Sequence, residues 1–164
     1  MNETYKVQVQ DLVDDLKAVF THAGLGGEAG EYKLLTQSFL YKFLNDKFLY
    51  QAQVLDAGNT YENLLTMSEE DYDWLLEDIG TSTAWLKPDQ LIETLHRQQN
   101  ESTFYETFEN TLNQIAIDNN DIFSVHTDGD TAIRLFDERL ITDTISDSSK
   151  RNEVAKAIIN LLAR

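Results

Sequence analysis

The sequence predicts a mostly α-helical fold, a small bundle around one buried helix, and three observations carry that prediction. First, Glu31 to Phe48 has helical periodicity with apolar side chains on nearly every side. At about 100° per residue, Leu34, Tyr41 and Phe48 share one face with Leu40 and Leu44 beside them, and Leu35, Phe39 and Phe43 take the opposite side. A helix that is apolar all round belongs inside a domain, so a central strut is expected over 31–50. Second, apolar residues recur at helical spacing in further stretches on both sides of it. Third, strand-like alternation is confined to a short stretch near 122–135.

Taken in order, residues 5–22 read as an amphipathic helix, with Val9, Leu12, Val13, Leu16, Val19 and Phe20 on one side. Gly24-Leu-Gly-Gly-Glu-Ala-Gly30 breaks it. The central helix then runs to about Leu55, followed by Ala57-Gly-Asn-Thr60 as a linker. Ser68-Glu-Glu-Asp71 has the pattern of a capping box with Asp in the third position. It opens a helix to Asp78, with Tyr72, Trp74, Leu75 and Leu76 as its apolar side and Gly80 as its stop. Pro88 suits the first turn of a helix over 88–98 carrying Leu91, Ile92 and Leu95. Ser102 is expected to cap a helix to about Asn119, with Phe104, Phe108, Leu112 and Ile115 facing the core. Phe123, Val125, Ile133 and Leu135 alternate around Asp128-Gly129, a hairpin signal over 122–135. A closing helix over 147–162 packs through Val154, Ile158, Ile159, Leu161 and Leu162. The whole chain, 1–164, is expected to form one domain with a helical core over 5–119.

Composition narrows the functional classes. A hydrophobic content of 41% is that of a globular chain. Without cysteine there is no disulfide framework and no thiolate metal site or nucleophile, and with no signal-peptide pattern at the start the expected location is cytoplasmic. Lys33, Lys42, Asp46 and Lys47 interrupt the longest apolar helix, so no contact with a membrane is expected. The formal net charge of −16 repels polyanions.

Few motifs survive scrutiny. Gly24-Leu-Gly26-Gly-Glu-Ala29 spells a dinucleotide fingerprint, but that motif needs a preceding strand and a βαβ unit, and helical periodicity precedes it here. His22, His96 and His126 lack metal-ligand spacing, and the oxygen-rich Asp118–Asp121 and Asp128–Asp130 stretches fail the calcium-loop pattern. The acids Glu69, Glu70, Asp71, Asp73, Glu77 and Asp78 crowd the start of a helix, where capping and the helix dipole account for them better than a metal does. No catalytic, cofactor-binding or metal-binding residue is assigned. The candidate phosphate contacts are Lys150 and Arg151, beside Lys156 on the closing helix, and Lys33 and Lys47, within about 40° of each other on the central helix. Leu40 and Leu44 share the face of the latter two, which fits lysines snorkelling from a core equally well.

Glu31-Tyr-Lys33 and the run through Phe48 resemble the N-terminal helical domain of type I restriction-modification methylation subunits. In that family an amphipathic helix leads through a small-residue loop to a Glu/Asp-Tyr-Lys start and an apolar run closing on Ser-Asp. Phe104–Ile117 resembles the helix before the family's catalytic domain, and Phe136 with Ile141–Ile159 resembles the helix that closes the domain in related adenine-specific methylases. The acidic 69–78 segment has no counterpart. The resemblance implies a non-catalytic domain: the family's Asn/Asp-Pro-Pro-Phe/Tyr motif needs adjacent prolines, and Pro88 stands alone. It implies partners too, namely the catalytic methyltransferase domain of the same protein, a specificity subunit and a second methylation subunit, with DNA met only in the assembled complex. S-adenosylmethionine would serve the full-length protein and no cofactor this chain. The alternative expectation, from the acidity alone, is a free-standing acidic interaction protein or DNA mimic.

Overall fold

Leu12, Leu16 and Phe20, spaced at four residues, are buried along one side of α1 (Glu3–His22), which fixes how the chain enters the domain. The computed structural model describes residues 3–81, 83–120 and 135–164, together with the backbone of 125–126 and 132–133. After a turn comes α2 (Ala29–Leu55), whose inner stripe is Leu34, Ser38, Tyr41, Leu44, Asn45, Phe48 and Ala52. A six-residue α3 (Tyr61–Thr66) follows, with Thr60 Oγ1 accepting from the Asn63 N–H. Ser68 caps α4 (Glu69–Ile79) by accepting from the Asp71 N–H at 3.1 Å, and Tyr72, Leu75 and Ile79 are its buried side. A 3₁₀ turn (Pro88–Gln90) leads to α5 (Ile92–Arg97), then α6 (Phe104–Asp118), α7 (Leu140–Thr144) and α8 (Ser148–Leu162).

The bundle is mostly helical, as its periodicity predicts. Its centre is shared, however. The closing helix α8 packs on α1, α2, α5, α6 and α7, and α2 packs on α1, α4, α7 and α8. Edge-to-face contact of Tyr41 with Phe108 (centroids 6.3 Å apart) joins α2 to α6, and a tilted ring pair, Phe48 with Tyr72 (6.4 Å, planes at 30°), joins α2 to α4.

Several expectations need correction. The central helix is not buried all round: Tyr32, Phe43, Tyr50, Val54 and Leu55 are exposed. Its core side needs only the inner stripe, and on the outer side Leu35 and Phe39 are only partly covered. Trp74 also points outward, 61% exposed, because Tyr72 and Leu75 take the inner side of α4. Pro88 opens a 3₁₀ turn instead of a continuous helix to 98, since Leu91 is extended (ψ 145°) and restarts the chain at Ile92. Ser102 does not cap α6; the N-cap residue is Thr103, without a side-chain cap, while the Ser102 carbonyl accepts from Asn152 Nδ2 at 2.6 Å. A hairpin over 122–135 is not supported. The described pairing is limited to Val125↔Ile133 and His126↔Ala132, and Leu135 sits in a bend. So short a ladder has no stability of its own, and the proposed turn at Asp128-Gly129 lies outside the described residues.

Between α4 and α5 an irregular segment passes through the core with Thr83, Ala84, Leu86, Gln90 and Leu91 buried. Its backbone groups are met by side chains from three helices. Asn119, at the end of α6, accepts from the Trp85 N–H (2.7 Å) and donates to the Trp85 carbonyl (2.9 Å). The Tyr72 hydroxyl of α4 donates to the Leu86 carbonyl. On α2, the Tyr41 hydroxyl donates to the Gln90 carbonyl at 2.6 Å and Asn45 Oδ1 accepts from the Ile92 N–H at 2.9 Å. Gln90 itself donates to Asp118 at 2.9 Å while its Oε1 accepts from the Lys87 N–H.

Replacing Asn119 by Ala strands a buried N–H and C=O. It is expected to cost at least about 1–3 kcal/mol in urea unfolding, against less than about 0.5 kcal/mol for Asn110→Ala on the exposed side of α6. A second expectation concerns Asp118. Burial works to raise its carboxyl pKa, but hydrogen bonds from Gln90 and Gln114 and the charge of Lys87 prevail and hold it below the ordinary value. A depressed carboxyl stabilises the fold above its unfolded pKa and loses that contribution as pH falls through the folded value. Asp118→Asn is therefore expected to lower the melting temperature at pH 6, and the gap to narrow below about pH 4.

Candidate functional site

The four predicted phosphate contacts do not form one patch. Lys33 and Lys47 share a side of α2 but stand 14 residues apart, roughly 21 Å along the axis. Lys33 is held by Asp137 at 2.7 Å, and that hydrogen bond and the carboxylate's charge raise its pKa. Lys47 lies over the Phe43 ring, 5.8 Å from its centroid. Arg151 is turned inward on the α7–α8 junction: its Nε donates to the Ile145 carbonyl at 2.8 Å, and its guanidinium covers Tyr105 at 5.7 Å. Lys150 lines a separate depression with His22, Val19 and Glu153 between α1 and α8.

The most developed surface feature is a groove between α1 and the outer side of α2. Phe39 and Phe43 are four residues apart and Tyr50 seven further on, so the three share one side, about 200° round the helix from Tyr41. With Tyr5, Val9 and Leu12 of α1 and Leu161 at the end of α8 they line a groove of ≈ 690 Å³. Phe43 is 51% exposed, Tyr50 66% and Tyr5 50%. Of the charges that line it, Lys42 meets Asp46 at 3.1 Å and also donates to the Arg164 carbonyl, Arg164 turns to Asp15 outside the groove, Lys47 lies over the Phe43 ring, and Asp11 adds a further carboxylate. Sequence reasoning missed this surface because it assigned both sides of α2 to the core. The 39-43-50 spacing was the available signal.

A second surface is α4, where Glu69, Glu70, Asp73 and Glu77 surround the exposed Trp74. Among the described residues no group of three or more His, Asp or Glu could hold a metal ion. The Gly24–Gly30 loop is preceded by α1, not by a strand, and Gly24 and Gly27 hold positive φ (86° and 78°) that a side chain rarely adopts. Its Gly27 N–H donates to the Glu31 carboxylate at 3.0 Å, so the group a phosphate would use is already engaged. Buried tyrosine hydroxyls are structural as well: burial first, and Asp89 second, raise the pKa of Tyr41 and Tyr72. No described helix is long and apolar enough to cross a membrane. Comparison with protein-family models, curated proteins and solved structures finds no match to this chain.

The groove predicts a separable phenotype. Phe43→Ser combined with Tyr50→Ser is expected to change unfolding free energy by no more than about 0.5 kcal/mol per site while reducing binding of a hydrophobic dye such as ANS. A loss of several kcal/mol would mean that these rings belong to the core.

Proposed function

We propose that this chain is the non-catalytic N-terminal domain of a bacterial restriction-modification N6-adenine DNA methyltransferase, working in the cytoplasm. It packs on the catalytic domain of the same protein and helps the methylation and specificity subunits assemble around DNA. The observation that carries the reading is the wording of α2. Glu31-Tyr-Lys33 through Phe48, the run that resembles the methylation subunits, forms one helix whose inner stripe builds the core and whose outer side offers aromatic surface. Exposed apolar patches rimmed by polar groups mark interaction sites. The order of elements agrees with the resemblance: amphipathic α1, a glycine loop, the long α2, then α6 and the closing α8. The chemistry belongs to the catalytic domain, where S-adenosylmethionine binds and the adenine is flipped out of the duplex.

A second reading, a free-standing acidic interaction protein or DNA mimic, is favoured by one observation. All six acids of α4 are exposed, and no basic residue lies on that helix.

Calorimetric titration of S-adenosylmethionine into this chain is expected to give no binding heat, and a labelled duplex no anisotropy change at low salt; micromolar affinity for the cofactor overturns the first reading. The coding sequence beyond Arg164 is expected to specify a strand with a Gly-rich turn and then an Asn-Pro-Pro-Phe/Tyr motif. A stop codon there, with competition against DNA for an enzyme partner, supports the second reading instead.

A further inference from the structure

We draw no further inference here: the strongest candidate, the aromatic groove between α1 and the outer side of α2 around Phe43 and Tyr50, is the surface the proposed function already uses, and nothing in the structure shows which partner covers it.

Discussion

Everything in this bundle depends on satisfying one largely buried stretch of backbone outside the α-helices. Residues 83–91 link α4 to α5 with a single 3₁₀ turn of internal hydrogen bonding, and Thr83, Ala84, Leu86, Gln90 and Leu91 among them are buried. A buried N–H or C=O left unpaired costs about as much as a lost hydrogen bond. Asn119, Tyr72, Tyr41 and Asn45 meet that demand from α6, α4 and α2. The bonds from Asn119, Tyr41 and Asn45 join positions 34 to 49 residues apart, so the segment holds the helices in register while they solvate it. Nonpolar packing alone leaves neighbouring helices free to slide by a turn; these directional bonds do not. Tyr61 and Thr94 extend the arrangement outward, their hydroxyls 2.8 Å apart while Thr94 also donates to the Pro88 carbonyl.

The same demand explains the polar residues on the inner side of α2. Asn45 is 5% exposed in the midst of Leu44 and Phe48, and its Oδ1 accepts from the backbone N–H that starts α5. Glu109 plays a comparable part on α6, its carboxylate accepting from the N–H groups of Ile141 and Thr142 at 3.0 Å and from the Thr142 hydroxyl at 2.8 Å. This serves the start of α7, which has no side-chain cap at Arg139. Both are polar groups whose cost of burial is offset by what they satisfy. The surface follows a different rule. Many of the few cations are held in local pairs, Lys33 with Asp137, Lys87 with Asp118 and Arg97 with Glu62 and Glu93. The field that remains is that of a chain with 13 basic and 29 acidic residues, which repels nucleic acid at long range.

Periodicity made the long helices legible: α1, α2, α4, α6 and α8 could all be read from apolar spacing, with Ser68 as an N-cap residue that the structure uses. What escaped was whatever depends on neighbours. Apolar spacing states which side chains could be buried, not whether an element exists to cover them, so Phe43 and Trp74 were placed inside and lie outside. Helices of five or six residues, such as α3 and α7, show too few turns for a period to register. Ser102 looked like a cap because Ser is a good one; Asn152 of α8, distant in sequence, engages its carbonyl. For the candidate contacts, angle around α2 groups Lys33 with Lys47 while the 14 residues between them separate the two along the axis, and the inward turn of Arg151 depends on the Ile145 carbonyl and the Tyr105 ring.

Where function can reside follows from how the polar interior is used. The Tyr41 and Tyr72 hydroxyls are donors to backbone carbonyls, and burial pushes both pKa values up, which keeps the protons those bonds require. Asn45, Gln90, Glu109 and Asn119 are likewise committed to backbone or to one another's segments. Among the described side chains only the Ser38 and Thr83 hydroxyls are buried without a partner, and each belongs to the packed core. An interior spent on holding its own backbone leaves recognition to the surface, which offers two contrasting textures: the acids around Trp74, and the aromatic outer side of α2 with its mixed-charge rim. The second suits stable packing better, because it presents contiguous apolar area, from Tyr5, Val9, Phe39, Phe43 and Tyr50, with fewer acids than the first. The proposed reading thus rests on a single element: α2 builds the core with one side and presents this exposed aromatic surface with the other.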